Sequence, residues 1–582
     1  MARKYAKTVK ALKRGKNAAG KLHRYFLPLL AGFLALIIGS AYLYWKLERG
    51  GEGTLGGAVW TIMFTLIGQG EFAENPSTPA GRVIVFLLSI IGISMLGVVL
   101  SELLARVMKY NIKSILGLNE CRYRGHTIIC GWNTHADLII RELTATGHKV
   151  ALIAPAKPDG AKEIDAFFVA GDPSDDEKLK QAGIENADTA IILSQPAEGL
   201  SADEIDARTI LTGLAVETLR RETYTVAELI NPSNAQHAEH AGIDDTVFAQ
   251  KIIADITATA ASQQGITSFI ADLLTESGSR LCTGEIDEAW NGKTVGELFY
   301  AMREEGLLPI GLTNAESGHA VDPRADTVLG PTDCAVYITA DDSAKPASQP
   351  PLGTAKRSGR GTVVCGRNSH ALRLIDELCA ADGGITLITP DEIPAAIGKT
   401  VKVVKGDPSD SAVLRNAGIG EASTAVVLAS GADRLPPGTV DAKTILTLLA
   451  IESTAPDVYT VGQILRPENC VHARRAKADS VLPCEAMIAR CVALCAAQKG
   501  TSGILNEILC RSEGHNLDAV PLTGNDEGKT VGEIFARLRE NGALPLALIY
   551  ATESGNGVKW QHITNPDPRT VIKLPMKAIV IE

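Results

Sequence analysis

A chain of 582 residues is too long for one hydrophobic core, so we expect several domains. The formal net charge of −10 argues against a nucleic-acid-binding protein, because such proteins present basic surfaces to phosphates. The eleven cysteines have no CxxC spacing, which indicates free thiols in a reducing compartment rather than a disulfide framework.

The first hundred residues are patterned like a membrane domain. Residues 1–24 carry many Lys and Arg and no acid, so we predict a basic N-terminus that stays in the cytosol. Uncharged runs begin at residues 26 and 83 and predict membrane spans over about 26–45 and 83–105. A cleavable signal peptide is the alternative for the first run. The uncharged, glycine-rich stretch 54–70 is too short to span and favours a segment that enters the membrane and returns.

The order of span, re-entrant segment and span resembles a potassium-channel pore, here placed at 25–108. Residues 59–65 resemble a pore helix, residues 67–71 the end of a selectivity filter and residues 76–82 the outer turn, with pore helix and filter together over 55–71. The resemblance implies conduction of K⁺ or Na⁺ past backbone carbonyls. It assigns these filter residues: Thr65, Leu66, Ile67, Gly68, Gln69 and Gly70.

The filter departs from the potassium-channel pattern at two positions. Gln69 replaces the aromatic residue that braces the carbonyls, and Leu66 stands where the family has a threonine. Strict potassium selectivity therefore does not follow. In the second span, Gly92 and Gly97 are candidate hinges, with ordinary helix packing as the alternative. Glu102 is a candidate cation-concentrating residue at the inner mouth, or a solvated acid at a helix end.

The rest of the chain contains one unit twice. Residues 128–133, 171–175, 206–212 and 224–226 recur as 363–368, 406–410, 441–447 and 459–461, each at an offset of 235. The segment 292–297 recurs as 528–533. We predict a linker at 109–124, a first unit with subdomains 125–265 and 266–342, a linker at 343–360, and a second unit with subdomains 361–500 and 501–582.

Each unit begins with strands that alternate with helices. In the first unit we predict strands at 126–130, 149–154 and 190–193 and a helix at 135–146, which argues for a parallel sheet with crossover helices. A Rossmann fold binds phosphates at the turn after its first strand. Here the glycine fingerprint is incomplete, because only Gly131 and Gly366 remain and neither Ala154 nor Thr389 supplies the usual acid.

The segments Gly-Asp-Pro-Ser and Leu-x-x-Ala-Gly-Ile, followed by Gly-Lys-Thr-Val-Gly-Glu, make each unit similar to an RCK (TrkA-N) domain with its C-terminal subdomain. Together with the pore, the chain resembles prokaryotic two-span channels with tandem RCK domains and, more distantly, the plant channels Castor and Pollux. That resemblance implies an α-helical pore followed by two Rossmann-like α/β domains. It also implies a homotetramer whose RCK domains form a cytosolic gating ring.

Two classes of small cytosolic ligand fit this resemblance. Ca²⁺ would use Asp206 and Glu228, with Asp441 and Gln463 as a weaker pair in the second unit. A helix N-cap is the alternative for Asp206. An adenine nucleotide (NAD, ADP or ATP) would use these residues: Gly131, Asn133, His135, Asp172, Gly366, Asn368 and Asp407. The alternatives are a turn-forming role for both Asp residues and solvated or capping roles for His135 and His370.

The sequence thus predicts a ligand-gated cation channel subunit and not an enzyme. We expect it in the inner (plasma) membrane, surrounded by lipid, with the N-terminus and RCK domains in the cytoplasm and no nucleic-acid partner. Ligand binding to the first unit would pull on the second span through 109–124. One alternative is a regulatory subunit of a potassium uptake system, which leaves the pore-like segment unexplained. The other is a membrane-anchored NAD-dependent oxidoreductase, which lacks a recognisable catalytic domain.

Overall fold

The computed structural model describes residues 35, 37–47, 54–67, scattered positions in 78–104, and 117–157, 165–196, 199–274, 281–314, 318–339, 359–380, 384–391, 401–432, 434–510, 515–554 and 557–582. The chain divides into two compact units, Met1–Ser114 and Ile115–Glu582.

The N-terminal unit is helical where it is described. Helix α1 covers residues 37–47, α2 covers Leu55–Ile67, and helical residues called α3 occur at positions between 79 and 104. Ala41 and Tyr44 of α1 pack against Ala58 and Ile62 of α2. Among the described residues, no helix combines the length and apolar character that crossing a membrane requires. Large parts of both predicted spans lie outside the described residues.

The second unit of the chain starts with a six-stranded parallel sheet in the order β3-β2-β1-β4-β5-β6. Its strands are β1 His126–Cys130, β2 Val150–Ala154, β3 Phe167–Ala170, β4 Ala187–Ile192, β5 Tyr224–Glu228 and β6 Asp245–Val247. Its helices are α4 Ala136–Ala145, α5 Asp176–Gln181, α6 Ala202–Leu219 and α7 Ala235–His240. Every residue of β1 and β2 is buried, as expected for a parallel sheet with both faces covered.

The predicted parallel sheet and its crossover helices are confirmed. The strand predicted at 126–130 coincides with β1, and the helix predicted at 135–146 is α4 without its first and last residues. The strand predicted at 190–193 begins three residues earlier, at Ala187. The start of β4 was not predicted, because the exposed Asp188 near its first residue interrupts the run of apolar residues.

A small α+β lobe follows the first sheet. Helices α8 Ala249–Ser262 and α9 Ile266–Leu273 lead into an antiparallel sheet with the order β7-β10-β8-β9. Its strands and helix are β7 Leu281–Glu285, α10 Val295–Glu304, β8 Leu307–Asn314, β9 Gly318–Val321 and β10 Cys334–Thr339. The repeated Gly-Lys-Thr-Val-Gly-Glu segment forms the N-terminal capping box of α10, in which Thr294 and Glu297 exchange hydrogen bonds.

The second copy repeats this architecture. Its six-stranded sheet has the order β13-β12-β11-β14-β15-β16, and its small sheet has the order β17-β20-β18-β19. The elements of the larger lobe are β11 Thr362–Cys365, α11 Ala371–Ala380, β12 Ile385–Thr389, β13 Val401–Lys405, α12 Ser411–Ala417, β14 Thr424–Val427, α13 Pro437–Thr454, β15 Tyr459–Ile464, α14 Cys470–Arg475 and β16 Ser480–Pro483. Those of the smaller lobe are α15 Cys484–Ala497, α16 Ser502–Leu509, β17 Leu517–Pro521, α17 Val531–Glu540, β18 Leu544–Ser554, β19 Gly557–Thr564 and β20 Lys577–Ile581.

The two copies exchange a helix. Helix α8 of the first copy packs on α11, β14 and β15 of the second, and α15 of the second packs on α4 and β5 of the first. Both helices are buried on nearly every side, which suits a helix held between two domains. Cys491 and Cys495 of α15 are buried free thiols. The exchange gives both copies one shared hydrophobic core.

Candidate functional site

The turn after β1 is built around Gly131. Its φ of +102° lies in a region that L side chains rarely adopt, so glycine is required here. A Cβ atom at this position would lie 2.8 Å from Cδ and Nε2 of Gln195, whose side chain therefore covers the turn. Asn133 follows and donates from Nδ2 to Ser194 O (3.1 Å) and Glu228 Oε2 (2.8 Å), which ties the turn to the ends of β4 and β5.

His135, the N-cap residue of α4, is buried between two carboxylates. Its Nε2 lies 3.2 Å from Glu228 Oε2 at the end of β5, and its Nδ1 lies 3.0 Å from Glu485 Oε2 on the exchanged helix α15. Burial works to lower the pKa of His135, but the carboxylates outweigh it and raise the pKa to about 10. Burial likewise works to raise the pKa of Glu228, yet His135 and Ser194 hold it below its ordinary value. His135 is therefore an imidazolium at neutral pH.

In the second copy, an amide replaces the Glu228 carboxylate beside the turn. Gly366 has a φ of +89°, and Gln463 takes the position of Glu228. Gln463 Oε1 accepts from Asn368 Nδ2 (3.0 Å), and Gln463 Nε2 donates to Thr257 of the exchanged helix α8 (2.9 Å). Among the described residues, no carboxylate pairs with His370, and burial lowers its pKa to about 4. His370 is therefore uncharged at neutral pH.

A cavity of about 500 Å³ opens at the carboxyl ends of β11, β12 and β14 in the second copy. Its apolar lining includes Pro390 and Leu435. Its polar lining consists of acidic, basic and hydroxyl side chains: Asp391, Asp407, Ser409, Ser430, Arg434, Lys443, Thr444 and Thr447. Arg434 Nη2 lies 3.5 Å from Asp391 Oδ1 across the cavity. This combination of apolar walls and opposite charges suits a ligand with a flat apolar part, hydroxyls and an anionic group.

Asp206 has a structural role that repeats in both copies. It is fully buried in α6, and its carboxylate accepts from Ile230 N (2.8 Å), Asn231 N (2.9 Å) and Asn234 Nδ2 (2.9 Å). Asp441 accepts from the equivalent three groups after β15. The alternative of a helix N-cap at Asp206 is wrong, because Ser201 caps α6 in a capping box with Glu204.

Asp206 and Glu228, the predicted calcium ligands, belong to separate hydrogen-bond networks. Among the described residues, no cluster of three or more His, Cys, Asp or Glu side chains is arranged to hold a metal ion. The calcium site stays a prediction.

Asp172 and Asp407 both form the turns that open the helix after the third strand of each sheet. Their Oδ1 atoms accept from the backbone N of Ser174 and Ser409, respectively, at 2.9 Å. Asp407 also lines the cavity, and its hydrogen bonds to Ser409 lower its pKa. Its turn role and a ligand role are therefore compatible in the second copy.

The predicted pore residues lie at the edge of the described chain. Thr65, Leu66 and Ile67 form the last turn of α2. Gly68, Gln69, Gly70, Gly92 and Glu102 lie outside the described residues. Gly97 is described in α3, and nothing in the described part of the chain outside its own helix backbone and chain neighbours lies within 4 Å of the position its Cβ would take.

Several residues of these sites escaped the sequence analysis. Asp391 lies two residues after Thr389, the position that usually carries the acid of a Rossmann fold. An acid slightly further along the loop after β12 is therefore the signal for this residue. Glu485 could not be found from one sequence, because it reaches His135 across 350 positions through the helix exchange. Gln195 and Ser430 would have emerged from comparing the copies position by position at the offset of 235.

The comparisons with known proteins agree with this geometry. A model of the TrkA-N domain family matches residues 127–249 and 362–483. The calcium-gated potassium channel TvoK of Thermoplasma volcanium is 28% identical over 221 residues, which is 38% of this chain and 63% of TvoK. The match thus spans less than two thirds of that relative.

Solved structures share the fold. The GsuK channel bound to NAD aligns over 96% of both chains with a TM-score of 0.52 and 19% identity. The human SLO3 gating ring aligns over 78% of this chain and 98% of its own, with a TM-score of 0.59 and 16% identity. Two segments of the chain therefore match the TrkA-N domain family, and the chain is similar to a calcium-gated potassium channel.

Proposed function

We propose that the protein is a subunit of a ligand-gated monovalent cation channel, a homotetramer in the cell membrane whose RCK domains lie in the cytoplasm. The observation that carries the proposal is that one chain joins a pore-like N-terminal sequence to a pair of RCK domains with a ligand-sized cavity. The large apolar side chains exposed on the described helices of the N-terminal unit support it, since lipid or neighbouring subunits would cover them. They include Tyr42, Trp60, Met63, Val83 and Phe86.

The proposed gating ligand is an adenine nucleotide in the cavity of the second copy. Asp391 would accept hydrogen bonds from ribose hydroxyls, as the acid after the second strand of a Rossmann fold does. Arg434 and Lys443 would face the phosphates, and Pro390 and Leu435 the base. GsuK, the relative of like fold, was solved with NAD. Ca²⁺ at Asp206 and Glu228 is the second candidate, favoured by the calcium gating of TvoK.

A regulatory subunit of a separate potassium uptake system would use residues 125–582 alone. That candidate gives no role to the apolar N-terminal unit, so we rank it below the channel. The membrane-anchored oxidoreductase needs a catalytic group beside the nucleotide. Nucleotide binding alone accounts for the polar lining of the cavity, and no catalytic group is needed to explain it.

The test is cation flux through the purified full-length protein in liposomes. We expect flux of K⁺ with measurable Na⁺ permeation, because Leu66 and Gln69 replace a hydroxyl ligand and the aromatic brace of the filter. Gly68→Ala should abolish flux while the tetramer still forms. A potassium preference of about a hundredfold or more in reversal potentials would contradict the weak selectivity, since each tenfold is about 1.4 kcal/mol. Absence of flux in the wild type would overturn the channel assignment.

A further inference from the structure

Two histidine–carboxylate contacts join the small sheet of each copy to a helix of the other copy. His319 on β9 of the first copy has its Nε2 3.3 Å from Glu507 Oε2 on α16 of the second copy. His562 on β19 of the second copy has its Nε2 3.1 Å from Asp272 Oδ2 on α9 of the first copy. Each copy thus contributes one histidine and one acid, and the contacts cross the interface in both directions.

The two contacts occupy equivalent places in the repeat. Asp272 and Glu507 are separated by the offset of 235 that relates the copies. The histidines are further apart in sequence, but the strand register makes them equivalent. His319 is paired with Thr313 on β8, and His562 is paired with the residue of β18 that follows Thr313 by 236 positions. The same histidine–acid contact is therefore built twice, once on each side of the interface.

Both imidazole rings pack closely against the helix that carries the acid. The His319 ring lies against Gly503 of α16, where an added Cβ would collide with Nδ1. The His562 ring stands edge-on to Phe269 of α9, with the ring centroids 5.8 Å apart. The neighbouring strand β8 has no charged residue. The one charged residue of β18, Glu553, stands four residues beyond the strand partner of His562.

The two helices that face the histidines carry one acid each and no base. Glu507 is the charged residue of α16, and Asp272 is that of α9. These carboxylates are only 17% and 28% exposed, so solvent screens them incompletely. Glu507 Oε1 also lies 2.7 Å from His515 Nδ1, so His319 and His515 share one carboxylate and take up protons as a coupled unit. A proton on either crossing histidine therefore places a positive charge beside an acid.

The strength of these contacts follows the pH. Histidine gains its charge between about pH 5 and 8. A neutral imidazole offers a carboxylate one ordinary hydrogen bond, whereas an imidazolium forms a stronger, charge-assisted one. Falling pH therefore tightens both contacts. Arg539 of α17 binds Asp322 of the first copy with two bonds of 2.6 and 2.5 Å, and arginine keeps its charge throughout this range. The small lobes thus stay joined when the histidines lose their protons.

We propose that the contacts His319–Glu507 and His562–Asp272 form a proton-sensitive clamp between the two RCK copies. Protons from the cytosol bind at the clamp, and the cytosolic pH sets how firmly the copies hold each other. The clamp requires neither the nucleotide cavity nor cation conduction. It adds to the proposed function a second, independent input to the arrangement of the RCK pair.

The test is denaturant unfolding of the full-length protein at pH 6, 7 and 8. The double variant His319→Gln, His562→Gln should unfold about tenfold more readily than the wild type at pH 6, about threefold for each contact, and within about twofold of it at pH 8. Comparison with the wild type at the same pH cancels the contributions of the other histidines. The double variant Glu507→Gln, Asp272→Asn removes the opposite half of each contact and should show the same pH dependence.

The matched control is His237→Gln, which removes an exposed histidine of α7 and should keep one ratio to the wild type across the three pH values. The single variants His319→Gln and His562→Gln, each expected to show about threefold at pH 6, replace a double variant that does not fold. A loss that is equal at pH 6 and pH 8 would mean that the contacts are merely structural and would overturn the clamp. Unfolding needs no flux, so a wild type that conducts no cations would end the channel assignment and leave this result standing.

Discussion

The buried His135 and its repeat His370 show how one residue type is set to opposite charge states by its neighbours. His135 faces Glu228 and Glu485, and His370 faces the neutral Gln463. A buried ion pair is costly to break, because removing one partner leaves an unpaired charge in a poorly solvated place. The first copy therefore depends on its histidine much more than the second.

We predict that His135→Gln lowers the free energy of unfolding by about 3–5 kcal/mol, because it leaves the buried Glu228 carboxylate and the partly buried Glu485 carboxylate without a cation. The matched variant His370→Gln should cost about 1 kcal/mol, since it removes only neutral hydrogen bonds. Denaturant unfolding of the full-length protein, followed by circular dichroism, measures both. Equal costs for the two variants would contradict the assigned charge states.

The two histidines also predict opposite dependences of stability on pH. The pKa of His135 is raised from 6.5 to about 10, so its stabilising contribution is complete below about pH 6.5 and is lost as the pH rises toward 10. The pKa of His370 is lowered to about 4, so its contribution is present above about pH 6.5 and is lost as the pH falls toward 4. His135→Gln should flatten the alkaline side of the unfolding curve and His370→Gln the acid side.

The sequence predicted the roles of some single residues correctly and those of others incorrectly. The glycine turns were predicted because a positive φ leaves a visible glycine. The N-cap alternative for Asp206 failed although the correct signal, Ser201 followed three residues later by Glu204, was present in the sequence. The burial of His135 was not predictable, because one of its two carboxylates comes from the other copy.

At the scale of elements, the exchanged helices α8 and α15 each form an arginine–carboxylate pair with the other copy, and the two pairs differ in burial. Arg373 of α11 binds Asp255 of α8 with two bonds of 3.1 Å, and Asp255 is fully buried. Where α15 contacts α4 of the first copy, Arg490 of α15 lies 3.2 Å from Glu142 of α4. Both side chains are more than a quarter exposed. Burial decides which of these pairs matters for stability.

We therefore predict that Arg373→Ala destabilises the protein by about 3 kcal/mol, because the buried Asp255 carboxylate then loses its two guanidinium hydrogen bonds. Arg490→Ala is the control and should cost about 0–1 kcal/mol. Thermal unfolding measures both, and the two copies should unfold in one transition in each variant because they share a core. A split transition, or a larger loss for Arg490→Ala, would contradict this account.

The elements themselves were largely predictable, since alternating apolar runs and the repeat at an offset of 235 indicated two parallel α/β sheets. The exchange of α8 and α15 between the copies could not be predicted from the sequence. A helix that is apolar on all sides predicts burial but does not say which domain buries it. Only the three-dimensional arrangement shows that each copy completes the other.

At the scale of the whole molecule, the proposed gating requires a link between the RCK pair and the N-terminal unit, and the chain that joins them is a covalent link. The described part of that connection, residues 117–121, is fixed to the first copy at Gln181, the last residue of α5. Gln181 Nε2 donates to Gly117 O and Asn119 O, both at 2.8 Å, and Gln181 O accepts from Cys121 N at 2.8 Å. Movement of the first sheet is therefore transmitted directly to this segment.

We predict that Gln181→Ala weakens the effect of a nucleotide on cation flux at least severalfold without changing nucleotide affinity. The reason is that two hydrogen bonds, worth about 1–3 kcal/mol together, no longer tie the connecting segment to the sheet, while the cavity of the second copy is untouched. The matched control is Asn416→Ala, the same position in the second copy, which is not the copy joined directly to the N-terminal unit. Flux and binding are measured on the same liposome preparations. A Gln181→Ala channel that responds like the wild type, or an Asn416→Ala channel that loses the response equally, would show that gating does not pass through residues 117–121.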